Sequence, residues 1–279
     1  MEKRDPLELA QLILRGSYIN FNYDQAYGNT SSIYKFSNEN ISSYFHYLQN
    51  KEKVLTVIGS GGQIINGILA GTRDFDCFDI SVFPEYYLYL QLASVLTLTK
   101  EEYLEYYFSD DRDVLFCDEL YDKISPALKG KYKEFWDTLY MFDDGIDIYN
   151  SLLFKNDLFF RRNIIENNPY LQENNFEKLR SILQEESIRI KPMVADVTAS
   201  SFPTSYDLIN LSNILTYHFK SIEEYVEFFS NNLPLKENGQ TISYFFRMSE
   251  DIEARANELL FPNGYVEDID GHKLLVYKR

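Results

Sequence analysis

Three kinds of hydrophobic pattern succeed one another along the chain. Up to residue 50 the apolar positions recur at helical spacing: Leu7, Leu9, Ile13 and Leu14 share one face, and Ile41, Tyr44 and Leu48 share another over 40–50. Between them, 20–32 is polar and Tyr-rich, with a turn signal at Gly28-Asn29. At Val54-Leu55-Thr56-Val57-Ile58 the pattern becomes a short β-branched run, as in a strand buried on both faces of a parallel sheet. Gly59-Ser60-Gly61-Gly62 ends it. Ile64, Ile65, Ile68 and Leu69 then fall at helical spacing over 63–70, Gly71 stops that helix, and 75–79 reads as a second strand ending in Asp79. From 85 to about 187 the patterns are helical, at 86–98, 100–108, 131–141 and 176–186, with a polar, Asn-rich stretch at 162–172. That is far longer than an ordinary crossover, so it predicts an inserted helical layer forming a cap over the site. Strand patterns resume at 188–197, 206–213 and 239–248. Helices are predicted at 221–230, with Ser221 and Glu224 as a capping box, and at 250–260. After Pro262-Asn263-Gly264, two strands at 265–269 and 272–278 meet at Asp270-Gly271, a two-residue hairpin signal.

The expectation is an α/β protein with a mostly parallel sheet, a C-terminal antiparallel hairpin and a helical insert between strands 2 and 3. Its parts are an N-terminal helical segment (1–50), a nucleotide-binding domain (51–84 with 188–279) and the insert (85–187).

Composition narrows the function classes. A formal charge of −16 repels phosphate backbones and anionic lipid surfaces, and no basic run is longer than Arg161-Arg162, so nucleic acid is disfavoured as a partner. The two cysteines, Cys77 and Cys117, form no CxxC pair and predict neither a zinc site nor disulfides, in keeping with a reducing cytoplasm. No stretch approaches the ~20 apolar residues of a membrane span. The 23 Tyr and 21 Phe are expected mainly at half-buried packing positions. Asp143-Asp144-Gly145-Ile146-Asp147 is expected to be a solvated loop.

The chemistry concentrates in the strand–glycine turn–helix–strand–acid unit. Glycines after a buried strand let a ligand approach the backbone, and the helix that follows aims free N–H groups and the positive end of its dipole there. An acid ending the next strand, here Asp79, can accept ribose hydroxyls. The run departs from the dinucleotide fingerprint G-x-G-x-x-G, because Ile64 holds its last position. It also departs from acid-x-G-x-G-x-G, because Val57 and Gln63 hold the acid and last-glycine positions. Asp196, after the third strand, and the polar end of the fourth strand favour S-adenosylmethionine (SAM) over NAD.

The stretch from Val54 to Gly62 resembles the glycine motif of an uncharacterised SAM-binding family that includes the betaine-lipid enzyme, which transfers 3-amino-3-carboxypropyl from SAM to diacylglycerol. Asp79-Ile80-Ser81 followed by the helical 85–108, and Leu211-Ser212-Asn213-Ile214-Leu215, are similar to that family as well. The likeness covers about 50–110 and 190–220. It implies a Rossmann-like class I methyltransferase fold. SAM would be held by Gly59, Ser60, Gly61, Gly62, Asp79 and Ile80, with Asp196 and Val197 near the adenine and Asn213 near the sulfonium.

The expected function is a SAM-dependent transferase of methyl or 3-amino-3-carboxypropyl, acting on a small-molecule or lipid-like acceptor. The candidate catalytic residues are Asn213, Tyr217 and His218, with His218 the best base because imidazole titrates near neutrality. His46 and His272 are expected to be structural. Tyr18, Tyr23 and Tyr27 are candidates to lie across the site. An NAD-dependent oxidoreductase and a non-catalytic SAM-binding protein stay open. The acceptor and the oligomeric state are not encoded in any motif.

Overall fold

The apolar run at 54–58 becomes an interior strand of a seven-stranded sheet. A computed structural model describes residues 5–17, 32–154, 161–172, 174–202 and 204–279; Tyr18, Tyr23, Tyr27 and the Gly28-Asn29 signal lie outside them. The strands are β1 (Val54–Val57), β2 (Asp74–Asp79), β3 (Arg189–Val194), β4 (Tyr206–Asn210), β5 (Leu235–Phe245), β6 (Gly264–Ile269) and β7 (His272–Lys278). Their order is β3-β2-β1-β4-β5-β7-β6. The first five pair in parallel, and β7 runs antiparallel between β5 and β6. This is the α/β, Rossmann-like arrangement expected, closed by the expected hairpin.

Twelve α-helices accompany the strands among the described residues: α1 (Pro6–Ser17), α2 (Ile41–Leu48), α3 (Gly62–Leu69), α4 (Phe83–Thr97), α5 (Lys100–Phe108), α6 (Asp118–Ile124), α7 (Gly130–Phe142), α8 (Gly145–Asn150), α9 (Arg161–Asn167), α10 (Asn175–Glu185), α11 (Ile222–Asn231) and α12 (Glu250–Leu260). Alternation along β1 divides the core. Val54 and Ile58 pack with Ile64, Ile65 and Ile68 of α3, whereas Leu55 and Val57 pack with Val226 and Phe229 of α11 and Leu260 of α12. Successive side chains of a strand point to opposite faces, so burial on both faces requires the nearly all-apolar run seen in the sequence, broken only by Thr56.

Strand boundaries move where local chemistry intervenes. β3 is shorter than its predicted span and lies at the sheet edge, where Pro192 costs no ladder hydrogen bond that a central strand would need. β4 stops at Asn210 because Ser212 adopts a left-handed φ of 53°. β5 begins earlier than predicted. Its pairing jumps from Tyr206↔Leu235 to Leu208↔Gln240, so a bulge absorbs the polar residues that hid the strand's start. At the hairpin, Asp270 and Gly271 both have positive φ, 56° and 82°, as a type I′ turn demands.

The inserted layer builds sideways from the helical face of the sheet. Tyr170 N–H donates to Asn66 Oδ1 of α3 (3.0 Å), Trp136 Nε1 donates to the Tyr86 carbonyl (3.0 Å), and the Tyr103 and Tyr170 hydroxyls meet at 3.0 Å. Its aromatic residues therefore form a second core region continuous with α3 and α4. The predicted capping box is displaced by one residue: Ser221 Oγ accepts from Glu224 N–H (3.2 Å), but the Glu224 carboxylate reaches Lys220 N–H (3.3 Å). Ser221→Ala should lower stability by about 1 kcal/mol, read as a reduced urea midpoint at unchanged slope. No helix among the described residues is long and apolar enough to cross a membrane.

Candidate functional site

The order in which strands are added reverses between the parallel neighbours β1 and β4, with β2 and β3 on one side and β5 on the other. In an open α/β sheet the crevice beyond the carboxyl ends at such a switch point is where ligands bind. A cavity of about 480 Å³ opens there. Gly59 and Ser60 of the glycine turn line it, together with Phe78, Asp79 and Ile80 at the end of β2. Asp196 and Val197 after β3, and Ser212, Asn213 and His218 after β4, complete the sheet side. Most of the remaining wall comes from 32–39, including Tyr34, Phe36 and Glu39, with Val57, Gln63 and Pro84 beside it.

The glycine turn is tight. Gly59 has φ +52°, and Gly61 N–H donates back to the Ile58 carbonyl (2.7 Å). A Cβ on Gly59 would meet nothing within 4 Å, so this backbone faces open space. Gly61 and Gly62, expected at the ligand, do not line the cavity. Gly61 takes φ +84° as the N-cap of α3, and a Cβ there would press on Leu88 and Gln91 of α4 (3.0 and 3.1 Å); a Cβ on Gly62 would meet Ile41 at 3.2 Å. These two glycines serve the packing of α3 against α4 and α2.

Asp79 closes the turn from the neighbouring strand. Its Oδ2 accepts from Gly59 N–H (3.1 Å) and its Oδ1 from Ser81 N–H (3.0 Å). Burial pushes the carboxyl up to about 6, against these two hydrogen bonds, which favour the ionised form. Ile80 beside it leaves 44% of its surface exposed at the cavity. Just beyond the end of the neighbouring β3, Asp196 Oδ1 accepts from Thr198 N–H (2.8 Å) and Oγ1 (2.7 Å). Partial burial works to raise this carboxyl, but the Thr198 bonds, with help from the His218 charge, hold it below its ordinary value.

Of the three catalytic candidates, Asn213 and His218 line the cavity and His218 is exposed at its edge. Tyr217 ends a short 3₁₀ turn (Ile214–Tyr217); its side chain lies outside the described residues. His272 Nδ1 lies 3.0 Å from the Phe246 carbonyl oxygen. The expected cap differs from the observed wall. No residue of the described part of 85–187 lines the cavity, though Pro84 at the start of α4 does; the inserted helices spend their apolar faces on α3 and one another, and 32–39 lines the cavity instead. Among the described residues no group of three His, Cys, Asp or Glu side chains is placed to hold a metal ion.

Sequence reasoning missed Glu39. It precedes Asn40, the N-cap of α2, whose Oδ1 accepts from Ser43 N–H (3.3 Å). Asn40 is anchored at both ends: its N–H donates to the Tyr244 hydroxyl on β5 (3.3 Å) and its Nδ2 to Asp270 at the hairpin (3.1 Å). These contacts, more than 200 residues apart in sequence, bring Glu39 to the switch point. The carboxylate accepts from the hydroxyl of Tyr44 (2.7 Å), from Gln63 Nε2 (3.4 Å) and, at its other oxygen, from Ser212 Oγ. Burial raises its pKa against all of these bonds. The only local signal was an acid directly before a helix cap, which alone distinguishes nothing.

No protein-family profile matches the chain, and no curated protein matches its sequence. Solved structures do match in shape. One is a ribosomal protein L11 methylase from Lactobacillus delbrueckii subsp. bulgaricus, at 12% identity and TM-score 0.39, covering 86% of this chain and 76% of that one. Another is the N-methyltransferase NodS from Bradyrhizobium japonicum, in complex with S-adenosyl-L-homocysteine, at 9% identity and TM-score 0.34, covering 99% of both. A third is a TehB-like SAM-dependent methyltransferase from Corynebacterium glutamicum, at 11% identity and TM-score 0.37, covering 99% and 100%. The fold of this chain rests on its own sheet order and register: a mostly parallel, Rossmann-like α/β sheet with an antiparallel end and a cavity at its switch point.

Proposed function

We propose that this protein is a SAM-dependent transferase acting on a small-molecule acceptor. The observation that carries the reading is the cavity at the β1–β4 switch point, with open backbone at Gly59 on one side and the Asp79 carboxylate beside it. Its volume is within the range of pockets that enclose a ligand of this size. Gly59 and Ser60 would lie along the ligand, and Asp79 would accept from the ribose hydroxyls with the lone pairs its backbone partners leave free. Ile80 and Val197 supply apolar surface and Asp196 an acceptor for the adenine.

When bound, SAM supplies a carbon next to a sulfonium that is open to displacement. The chain's part is to hold an acceptor in line with that carbon and, where the acceptor carries a proton, to take it. Asn213 is suited to orient the acceptor, and His218, at the cavity edge, to receive the proton. The charge of −16 and the carboxylates of Glu39, Asp79 and Asp196 around the cavity, with no Lys or Arg lining it among the described residues, suit a neutral or cationic acceptor better than a phosphate-bearing one. Both transferable groups fit this arrangement. The resemblance to the betaine-lipid transferase adds 3-amino-3-carboxypropyl to the more common methyl.

Isothermal titration with SAM tests the reading, and micromolar affinity is the expected result. A product that accumulates as S-adenosylhomocysteine marks methyl transfer, and one that accumulates as 5′-methylthioadenosine marks aminocarboxypropyl transfer. Absence of SAM binding, together with quenching or enhancement of NADH fluorescence on mixing, would replace this reading by the oxidoreductase one.

A further inference from the structure

The strand that carries the glycine turn brings no acid to the cavity, since Val57 holds the acid position of acid-x-G-x-G-x-G. A carboxylate arrives from outside the sheet instead. Glu39 lines the cavity yet is only 1% exposed, and its partners among the described residues, Tyr44, Gln63 and Ser212, are all uncharged. The nearest lysine in sequence, Lys35, is turned away, with its ammonium 3.6 Å from the centroid of the Tyr149 ring. A buried carboxylate held by neutral donors and lacking a positive partner is costly to keep charged, and a cation entering the cavity would relieve that cost. Gln63, in the same wall, adds a buried acceptor, Oε1, that has no hydrogen-bond partner.

The placement is also specific. Gln63 lies in the first turn of α3, immediately after the glycine turn, and Ser212 lies just beyond β4 in a left-handed conformation. Glu39 therefore bridges the two strands that flank the switch point. A non-glycine residue held at φ +53° is kept there by its surroundings: Ser212 N–H donates to Asn210 Oδ1 (2.9 Å), and its carbonyl accepts from Tyr244 N–H (2.7 Å) and Ser243 Oγ (2.7 Å). The carboxylate is thus fixed from both sides of the switch point, in the cavity that Asp79 also lines.

We propose that Glu39 is the counter-ion for an α-ammonium group, so that the cavity recognises a nucleoside joined to a cationic amino-acid end. Gln63 and Ser212 are positioning residues that hold the carboxylate. The assignment deepens the cofactor reading above and rests on it.

The test compares three ligands by isothermal titration. SAM and S-adenosylhomocysteine carry the ammonium, and 5′-methylthioadenosine lacks it. Glu39→Gln should weaken SAM and S-adenosylhomocysteine at least ten-fold and change 5′-methylthioadenosine by no more than about two-fold, the ordinary spread of a conservative change. Equal losses on all three ligands, or no loss on the first two, would overturn the assignment. Because the substitution disturbs three hydrogen bonds, the unsubstituted protein provides a second arm. It should bind S-adenosylhomocysteine at least ten-fold more tightly than the analogue with hydrogen in place of the amino group, and equal affinities overturn the assignment without reference to any variant. If the unsubstituted protein binds 5′-methylthioadenosine but gains nothing from the ammonium, this inference fails and the nucleoside site stands. If it binds none of the ligands, the cofactor reading falls, and this inference with it.

Discussion

Asp79→Asn should weaken SAM by about 10- to 150-fold, the equivalent of about 1.5–3 kcal/mol for hydrogen bonds made to a charged acceptor. Both carboxylate oxygens already accept a backbone N–H, one from Gly59 and one from Ser81. An amide replaces one of those acceptors by a donor, so one N–H loses its partner and one ribose hydroxyl its acceptor. The same carboxylate sets a pH dependence. Burial raises it from an ordinary value near 3.8 to about 6, and hydroxyl donors favour its ionised form. Binding should therefore strengthen as pH rises from about 5 to 7 and release a proton within that window. Stability without ligand runs the other way. For an acid whose folded pKa is raised, the stabilising share is full below the unfolded value and is lost as pH rises through about 6. Titrations at several pH values, in two buffers of different ionisation enthalpy, count the proton. The part of the dependence missing in Asp79→Asn belongs to this carboxylate, and what is left belongs to other groups of the cavity, the buried Glu39 among them. A flat affinity between pH 5 and 7 would remove Asp79 from the ribose.

Gly145→Ala should cost about 3 kcal/mol, the upper end of what overpacking usually does. Gly145 is buried at the start of α8, and a Cβ there would fall onto the carbonyl of Phe116. Phe116 has little room to yield. It holds a φ of +55°, stacks on Tyr106 with centroids 4.7 Å apart, and its carbonyl accepts from the Tyr140 hydroxyl (3.0 Å). Trp136, the one tryptophan of the chain, is fully buried in the adjacent α7 and reports the unfolding of this layer by fluorescence in urea. SAM affinity of the folded variant should stay within about two-fold, because the described part of the layer lines no part of the cavity. A selective loss of affinity at undiminished stability would return the layer to the role of a cap.

Much of the architecture was legible because it depends on local rules. A β-branched run followed by glycines, a helix and a strand ending in an acid specifies one supersecondary unit, since each residue type meets a local steric or hydrogen-bonding demand. That unit placed Gly59, Ser60, Asp79 and Ile80 at the cavity. The hairpin was legible for the same reason: Asp270-Gly271 supplies two left-handed residues in succession. Strand ends were less legible. The bulge before β5 and the edge position of β3 depend on neighbours that no local window contains.

The remaining features belong to contacts far apart in the chain. Gly61 and Gly62 look like ligand glycines in the motif, but the packing of α4 and α2 sends them behind the turn. The insert reads as a cap by length alone, whereas its aromatic faces are satisfied against α3 and one another, and 32–39 lines the cavity. Glu39 carries no motif, and it reaches the site only because Asn40 is tied to Tyr244 and Asp270. The sequence by itself determined the sheet's chemistry at β1 and β2, because glycine conformation, strand burial and a strand-end acid act over a few residues. Only the tertiary structure decided what faces that chemistry across the crevice, because a buried charge is positioned by the elements packed around it.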